Sequence, residues 1–327
     1  MSRIGSWLVL SLRLQRWEVL ASVVGTALLT AAMLWFSWQL RTLAAAEPGC
    51  LDPTSYVAAC EQSSQPFYEL SSRAEWLSYF NWSAPFAFGL VLGIPLVSRE
   101  VEHRTAAIAW ALSRSRTSWL VRRVAFAALI LVSLLVVLAI AGEVQAAAAL
   151  PTHQLDRDFV WYGRRGSLMV LRGLAALGIG VALGAVLGRV LPALLVAAFA
   201  SALVFAAISF GMDRWIETDA IVQPSADQAG GGRYLGQRVE LPSGELIDYG
   251  ELSRRGLSIE AIDEEGRLFA NPAVIAHPER MIGWDRGLLV PGRLYPQIVL
   301  RESVVVGGTA LLLGLAGVAV VARRRPG

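Results

Sequence analysis

The chain has 327 residues, of which 55% are hydrophobic and 17% charged, and its net charge is +3. An ordinary soluble domain carries about 25% charge, so this composition excludes a soluble globular fold as the main state of the chain. All 29 basic residues are arginine, and without a lysine the phosphate-binding loop G-x-x-x-x-G-K-[ST] is excluded.

Residues 1–16 mix Trp7, Leu8, Val9, Leu10 and Leu12 with Arg3 and Arg13. That mixture suits an amphipathic helix lying in a membrane interface. Beyond it the apolar residues gather in six runs, 17–38, 82–97, 124–141, 168–187, 190–212 and 304–321. Most are close to the length of about 20 residues that an α-helix needs to cross hydrocarbon. The first run is too long for the apolar part of a signal peptide and ends in Trp35, Phe36 and Trp38, so it reads as a retained span. The second is short and holds Pro85 and Pro95, which membrane helices tolerate when neighbours satisfy the freed backbone groups. Only Gly188 and Arg189 separate the fourth run from the fifth, so residues 168–212 are expected to form a tight helical hairpin.

Arginine placement orients these spans by the positive-inside rule. Arg3, Arg13 and Arg16, the arginines of segment 98–123, Arg189, and Arg323, Arg324 and Arg325 all fall on one side of a six-span chain. Both termini are therefore expected in the cytoplasm. The outer loop 39–81 agrees, with Glu47, Asp52, Glu61, Glu69 and Glu75 against Arg41 and Arg73. Arg164 and Arg165 fall on the outer side as an exception, partly offset by Asp156 and Asp158. Cys50 and Cys60, the only cysteines, share the outer loop, where an oxidising compartment favours a disulfide.

Residues 213–299 are too polar to span and too long for a linker. Gly230, Gly231 and Gly232 read as a flexible hinge. Next, 238–241, Pro242-Ser243-Gly244 and 245–249 read as strand, turn and strand. A small α+β subdomain on the outer side is expected. The fold class is thus an all-α polytopic membrane protein of six transmembrane helices, with an extracytoplasmic α+β subdomain between the fifth and sixth. Residues 300–327 supply the last span and a basic tail.

The sequence holds no convincing catalytic set. His103, His153 and His277 are far apart and lack zinc-site spacing, and no G-x-S-x-G elbow occurs. No metal site is expected. Glu143 and Arg172 lie near membrane depth toward the outer face, where a pairing across adjacent helices is expected.

The most informative stretch is 98–123, SREVEHRTAAIAWALSRSRTSWLVRR. It opens with Glu100 and Glu102, passes through a short amphipathic stretch with Ile108, Trp110 and Leu112, and closes with Arg114, Arg116 and Trp119. An ordinary positive-inside loop needs the arginines but not the acidic and aromatic pattern. The stretch resembles the coupling-helix region of permeases of type-2 ABC exporters, the compact actinobacterial ones in particular. Those proteins show an acidic E-x-E-x-G-T-like start and a serine- and arginine-rich S-R-x-x-W-like end. The resemblance places Glu100, Glu102, Arg104, Thr105, Trp110, Arg114, Arg116 and Trp119 at the docking surface for an ATPase. Arg104 departs from the pattern, standing where the family often has glycine. The glycine-rich stretch 176–195, with Arg189, Pro192 and Ala193, and the last span with Glu302 at its entry fit the same family.

The resemblance implies a permease in the plasma (inner) membrane that moves a hydrophobic or amphipathic substrate outward. It implies two partners besides lipid, a nucleotide-binding ATPase subunit and a second permease copy. No cofactor is expected in this chain, ATP and Mg being bound by the ATPase, and nucleic acid is not expected as a partner. A rival reading, from the outer subdomain, is a non-transporting membrane sensor or immunity protein that binds an extracellular ligand.

Overall fold

The structure is a computed structural model that describes residues 13, 15–46, 48–51, 58–105, 115–224, 232–263, 266–271, 275, 277 and 280–323. The expected interfacial helix of residues 1–16 and the Gly230–Gly231 hinge thus lie largely outside the described residues, as do Trp110 and Arg114. Among the described residues the helices are α1 (Arg16–Ala46), α2 (Ala58–Gly93), α3 (Pro95–Glu102), α4 (Arg116–Ala149), α5 (Leu168–Leu187), α6 (Val190–Glu217), α7 (Tyr249–Arg254) and α8 (Tyr295–Arg323). Among the described residues six helical stretches are long and apolar enough to cross a membrane, α2 and α3 together making one of them, Ser63–Glu102.

The chain divides into two compact units, Met1–Thr152 with Trp161–Ser209 and Val299–Gly327, and His153–Val160 with Phe210–Ile298. In the first, α1, α2, α4 and α5 pack closely, with α3 against α4 and α5. Its main core joins Leu92, Leu96, Leu120, Leu131, Leu135 and Leu177. Burial of apolar side chains is not what separates protein from lipid. Close backbone approach at small residues is the favoured route to helix association. Gly89 and Gly93 of α2 supply it, since a Cβ on Gly89 would stand 2.6 Å from the Gly173 carbonyl oxygen and one on Gly93 2.7 Å from that of Leu177. The contact continues past the break at Ile94, whose carbonyl oxygen would lie 2.7 Å from a Cβ on Gly184. Pro95 sets that break, standing at the first position of α3 where its missing N–H costs nothing.

Two boundaries differ from the sequence expectation. Most of segment 39–81 is helical, because α1 runs on to Ala46 and α2 starts at Ala58. At about 1.5 Å per residue α1 is roughly 46 Å long, well beyond a hydrocarbon core of about 30 Å. Leu40, Phe67 and Ala74 hold this extension against Ala148 and Ala149, and the Cys50–Cys60 disulfide closes its tip. The α5–α6 turn is as tight as expected: Gly188 ends α5 at φ 63°, in the left-handed region that suits glycine.

The second unit is an α+β subdomain. Its strands are β1 (Ile221–Pro224), β2 (Arg233–Glu240), β3 (Leu246–Ile247), β4 (Ala261–Ile262), β5 (Arg267–Phe269) and β6 (Gly283–Val290). They form one antiparallel sheet in the order β3-β2-β6-β5-β4, with β1 also on β6. The expected hairpin is present, Val239 opposite Ile247 and Glu240 opposite Leu246. Val239, Ile247, Leu252 and Leu268 make its core.

Candidate functional site

The acidic and basic residues of α3 reach three different helices. Arg99 donates to Glu18 of α1 at 2.6 Å. Glu100 meets Arg123 of α4 at 3.0 Å, and Arg123 also donates to the Leu96 carbonyl at 3.1 Å and lies over the Trp119 ring at 4.8 Å. Glu102 accepts the backbone N–H of Val190, the first residue of α6, at 3.0 Å. There the carboxylate satisfies one of the donors that a helix start leaves unpaired and favours its positive dipole end. Both members of the acidic pair expected at the docking surface thus make contacts within the chain, Glu100 partly buried and Glu102 exposed.

Thr105 closes the turn after α3, its hydroxyl on the Glu100 carboxylate at 2.5 Å and its N–H on the Glu100 carbonyl at 2.9 Å. Between them Arg104 has φ 57°. That is the left-handed conformation which glycine adopts freely and other residues reach at a cost of about 1–2 kcal/mol. Arg104 and Thr105 are exposed. Arg116 begins α4, and Ser115 caps that helix by accepting the Ser118 N–H at 3.1 Å.

The opposite end of the bundle carries a second polar layer. The expected pairing of Glu143 with Arg172 does not form. Arg172 binds Glu302 of α8 and donates to the Gly163 carbonyl at 2.6 Å, while Glu143 takes Arg165 at 2.9 Å. The physical reason is helical phase. Similar depth does not put two residues on facing sides, and Arg172 presents its guanidinium to α8. Tyr162 completes the first pair, donating its hydroxyl to Glu302 at 2.5 Å. Arg172 and Glu302 are buried, their side chains 9% and 5% exposed. Arg164 meets Glu75 at 3.2 Å and stacks over Tyr79 at 3.9 Å, and its carbonyl accepts from Asn81 at 3.1 Å. Glu75 and Glu143 are thus carboxylates that answer Arg164 and Arg165 directly. Asp158 pairs with His153, and Asp156 lies 3.9 Å from Arg157.

These two layers attach the outlying spans. α6 and α8 meet the four-helix core along narrower seams, through Ala193, Ala197 and Phe205 and through Val306. α6 is tied at its start by Glu102, and α8 near its start by Glu302. Glu18, Tyr162 and Glu302 were not anticipated as partners. The available signal was an ionisable or phenolic group at the margin of an apolar run, which needs a partner somewhere in the bundle.

The sulfurs of Cys50 and Cys60 are bonded, with Cα atoms 5.1 Å apart. In the subdomain, Tyr249 donates to the buried Asp285 at 2.8 Å, and Gln237 approaches the same carboxylate at 3.4 Å. Burial first, and then the Asp285 carboxylate, push the Tyr249 phenol well above its ordinary range. Arg255 at 2.8 Å holds the Glu245 carboxyl below its own. Among the described residues no group of three His, Cys, Asp or Glu is placed to hold a metal ion.

With this geometry in place, comparison with known proteins adds one match. Residues 7–216 match the family described as ABC-2 membrane transporter related. No curated protein and no solved structure matches the chain.

Proposed function

The chain belongs to the ABC-2 membrane transporter related family, and from that premise we propose that it is the permease subunit of an ATP-driven exporter. The observation that carries the reading is the extent of the match, residues 7–216, which takes in the first five spans and the whole of segment 98–123. An ATP-binding subunit is the partner that this family implies. It would hold ATP and Mg, since a chain without lysine has no P-loop of its own.

In this reading α3 and the turn after it lie in the cytoplasm, and the disulfide-closed hairpin and the subdomain lie outside. The arginine distribution and the disulfide support that orientation. Two permeases flank a path for a hydrophobic or amphipathic substrate, lined by the first, second and fifth spans as in the exporters that the sequence resembles. Closure of the ATPase pair moves the docked segment, and that movement passes to the spans. The docking contacts are the exposed Arg104 and Thr105 with Trp110, Arg114 and Arg116. An aromatic anchor ringed by charges suits partner choice and register.

The test is co-purification of the chain with a co-expressed P-loop ATPase subunit of the ABC type. Trp110→Ala combined with Arg114→Glu is expected to abolish association. Undiminished association of that variant removes the docking assignment.

A further inference from the structure

α3 is eight residues long and makes polar contacts with three helices of the bundle. Its charged residues do not share one partner. Arg99 goes to Glu18 on α1, Glu100 to Arg123 on α4, and Glu102 to the first N–H of α6. The start of α3 is also seated on α5. Ile94 packs at backbone distance on Gly180 and Gly184, where added Cβ atoms would stand 3.2 and 2.7 Å from Ile94 backbone atoms. Within α3, the buried Ser98 hydroxyl bonds the Ile94 carbonyl at 2.8 Å and Arg123 bonds that of Leu96 at 3.1 Å. The first bond closes the break between α2 and α3, and the second ties α3 to α4.

From this arrangement we propose that α3 is a distributor. It takes the displacement of the ATPase-docking segment that follows it and divides it among α1, α4 and α6 through Arg99, Glu100 and Glu102. These three are positioning residues for the transport cycle, and not ATPase contacts. The inference rests on the permease reading and gives its coupling step a path.

The Glu102 spoke is the one with most consequence. α6 meets the core along a narrow apolar seam. Pro192 has no N–H, and Ala193 is already bonded to Arg189 at 3.2 Å. A carboxylate on the Val190 N–H is therefore the described polar hold on the start of this span. The bond is charge-assisted and solvent-exposed, so it positions the helix start more than it adds stability. An ATPase-driven shift of α3 draws the α6 start with it, while α1 and α4 follow through their own ion pairs.

The experiment uses the permease–ATPase complex in lipid nanodiscs. Both native cysteines are bridged, so an introduced cysteine is the labelling site. An environment-sensitive fluorophore is placed in turn at Leu20 of α1, Val121 of α4 and Leu191 of α6, all exposed. In the native background, ATP is expected to change the emission of each probe. Glu102→Ala is expected to silence the α6 probe, leave the other two responsive and keep the ATPase bound. Glu102→Gln, which retains an acceptor oxygen, restores the α6 response. Arg99→Glu silences the α1 probe, and adding Glu18→Arg restores it. Such selective loss with rescue is not what general destabilisation gives. Release of the ATPase by Glu102→Ala makes Glu102 a docking contact and overturns the proposal, and so does loss of all three responses together or of none. A native chain that binds no ATPase defeats the permease reading itself, a different outcome from any of these.

Discussion

Removing Glu302 tests the buried polar layer most directly. Its carboxylate accepts from the Arg172 guanidinium and from the Tyr162 hydroxyl at 2.5 Å, with 5% of the side chain exposed. In Glu302→Gln the side chain keeps its shape and can still accept from Tyr162, but Arg172 loses its counter-charge. The remaining partner of that cation is then the Gly163 carbonyl at 2.6 Å. Breaking a buried pair by removing one partner costs about 3–5 kcal/mol, because a charge is stranded. Replacing both by apolar residues of similar size, Arg172→Met with Glu302→Met, is nearly neutral on the same grounds. The assay is a double-mutant cycle of Arg172→Met, Glu302→Met and the two together, on unfolding in mixed detergent and SDS micelles. A coupling of about 3 kcal/mol is expected, well above the roughly 0.6 kcal/mol average of neutral interhelical hydrogen bonds in membranes. A coupling at or below that average would refute the pairing of α5 with α8.

Three further expectations follow from the same coordinates. Gly89→Ala pushes a methyl group to 2.6 Å from the Gly173 carbonyl oxygen, so α2 and α5 must part. It should lower stability by about 1–3 kcal/mol, while Gly308→Ala, whose Cβ meets nothing within 4 Å, should gain up to about 1 kcal/mol from helix propensity. Equal effects would contradict the close contact. Reducing Cys50–Cys60 opens a loop of sequence separation 10 and should cost about 2–3 kcal/mol in the chain-entropy account. Limited proteolysis at the α1–α2 tip reads it, and unchanged cleavage with and without reductant argues against the bridge. The Tyr249 phenol has a folded pKa raised above the unfolded value near 10, so its contribution to subdomain stability is complete below about pH 10 and is lost as pH rises through the folded value. Tyrosinate absorbance, compared with Tyr249→Phe, should show one late-ionising tyrosine that Asp285→Asn brings down. A Tyr249 that ionises near pH 10 in the native chain rules this environment out.

Much of the bundle was legible because lipid makes simple demands. The run 168–187 coincides with α5, and Gly188 with Arg189 marked a real turn. The run 82–97 stopped short because apolar length reports only what hydrocarbon must cover. Residues 58–81 carry Glu69, Arg73 and Glu75, yet they are helical because Phe67 and Ala74 face the α1 and α4 extensions. The pairing of Glu143 with Arg172 failed for a related reason. A sequence gives the depth of a charge along a helix but not the neighbour it faces, and Glu302, 130 positions from Arg172, has no local signature as its partner. In segment 98–123 the residue types were recognisable, but the contacts of Arg99, Glu100 and Glu102 depend on where α1, α4 and α6 begin. Arg104 shows the reverse case, where a departure from a pattern coincides with an unusual φ.

The absence of lysine bears on the bundle as well as on nucleotide binding. Arg172 spreads its two terminal nitrogens over two partners on different elements, Glu302 and the Gly163 carbonyl. Arg164 uses its planar head in two ways at once, donating to Glu75 at 3.2 Å and Ser78 at 3.1 Å and lying over the Tyr79 ring at 3.9 Å. A lysine ammonium keeps the charge but is a compact point on a flexible stem, without the fork or the flat face. Arg172→Lys should therefore hold Glu302 and abandon Gly163, leaving a buried carbonyl unpaired at about 1–3 kcal/mol. The loss should be smaller than that of Glu302→Gln, because no charge is stranded. In the same detergent unfolding series, a lysine variant as damaging as Glu302→Gln would mean that the guanidinium fork, more than the charge, joins α5 to α8. A harmless one would mean that the Gly163 bond contributes nothing.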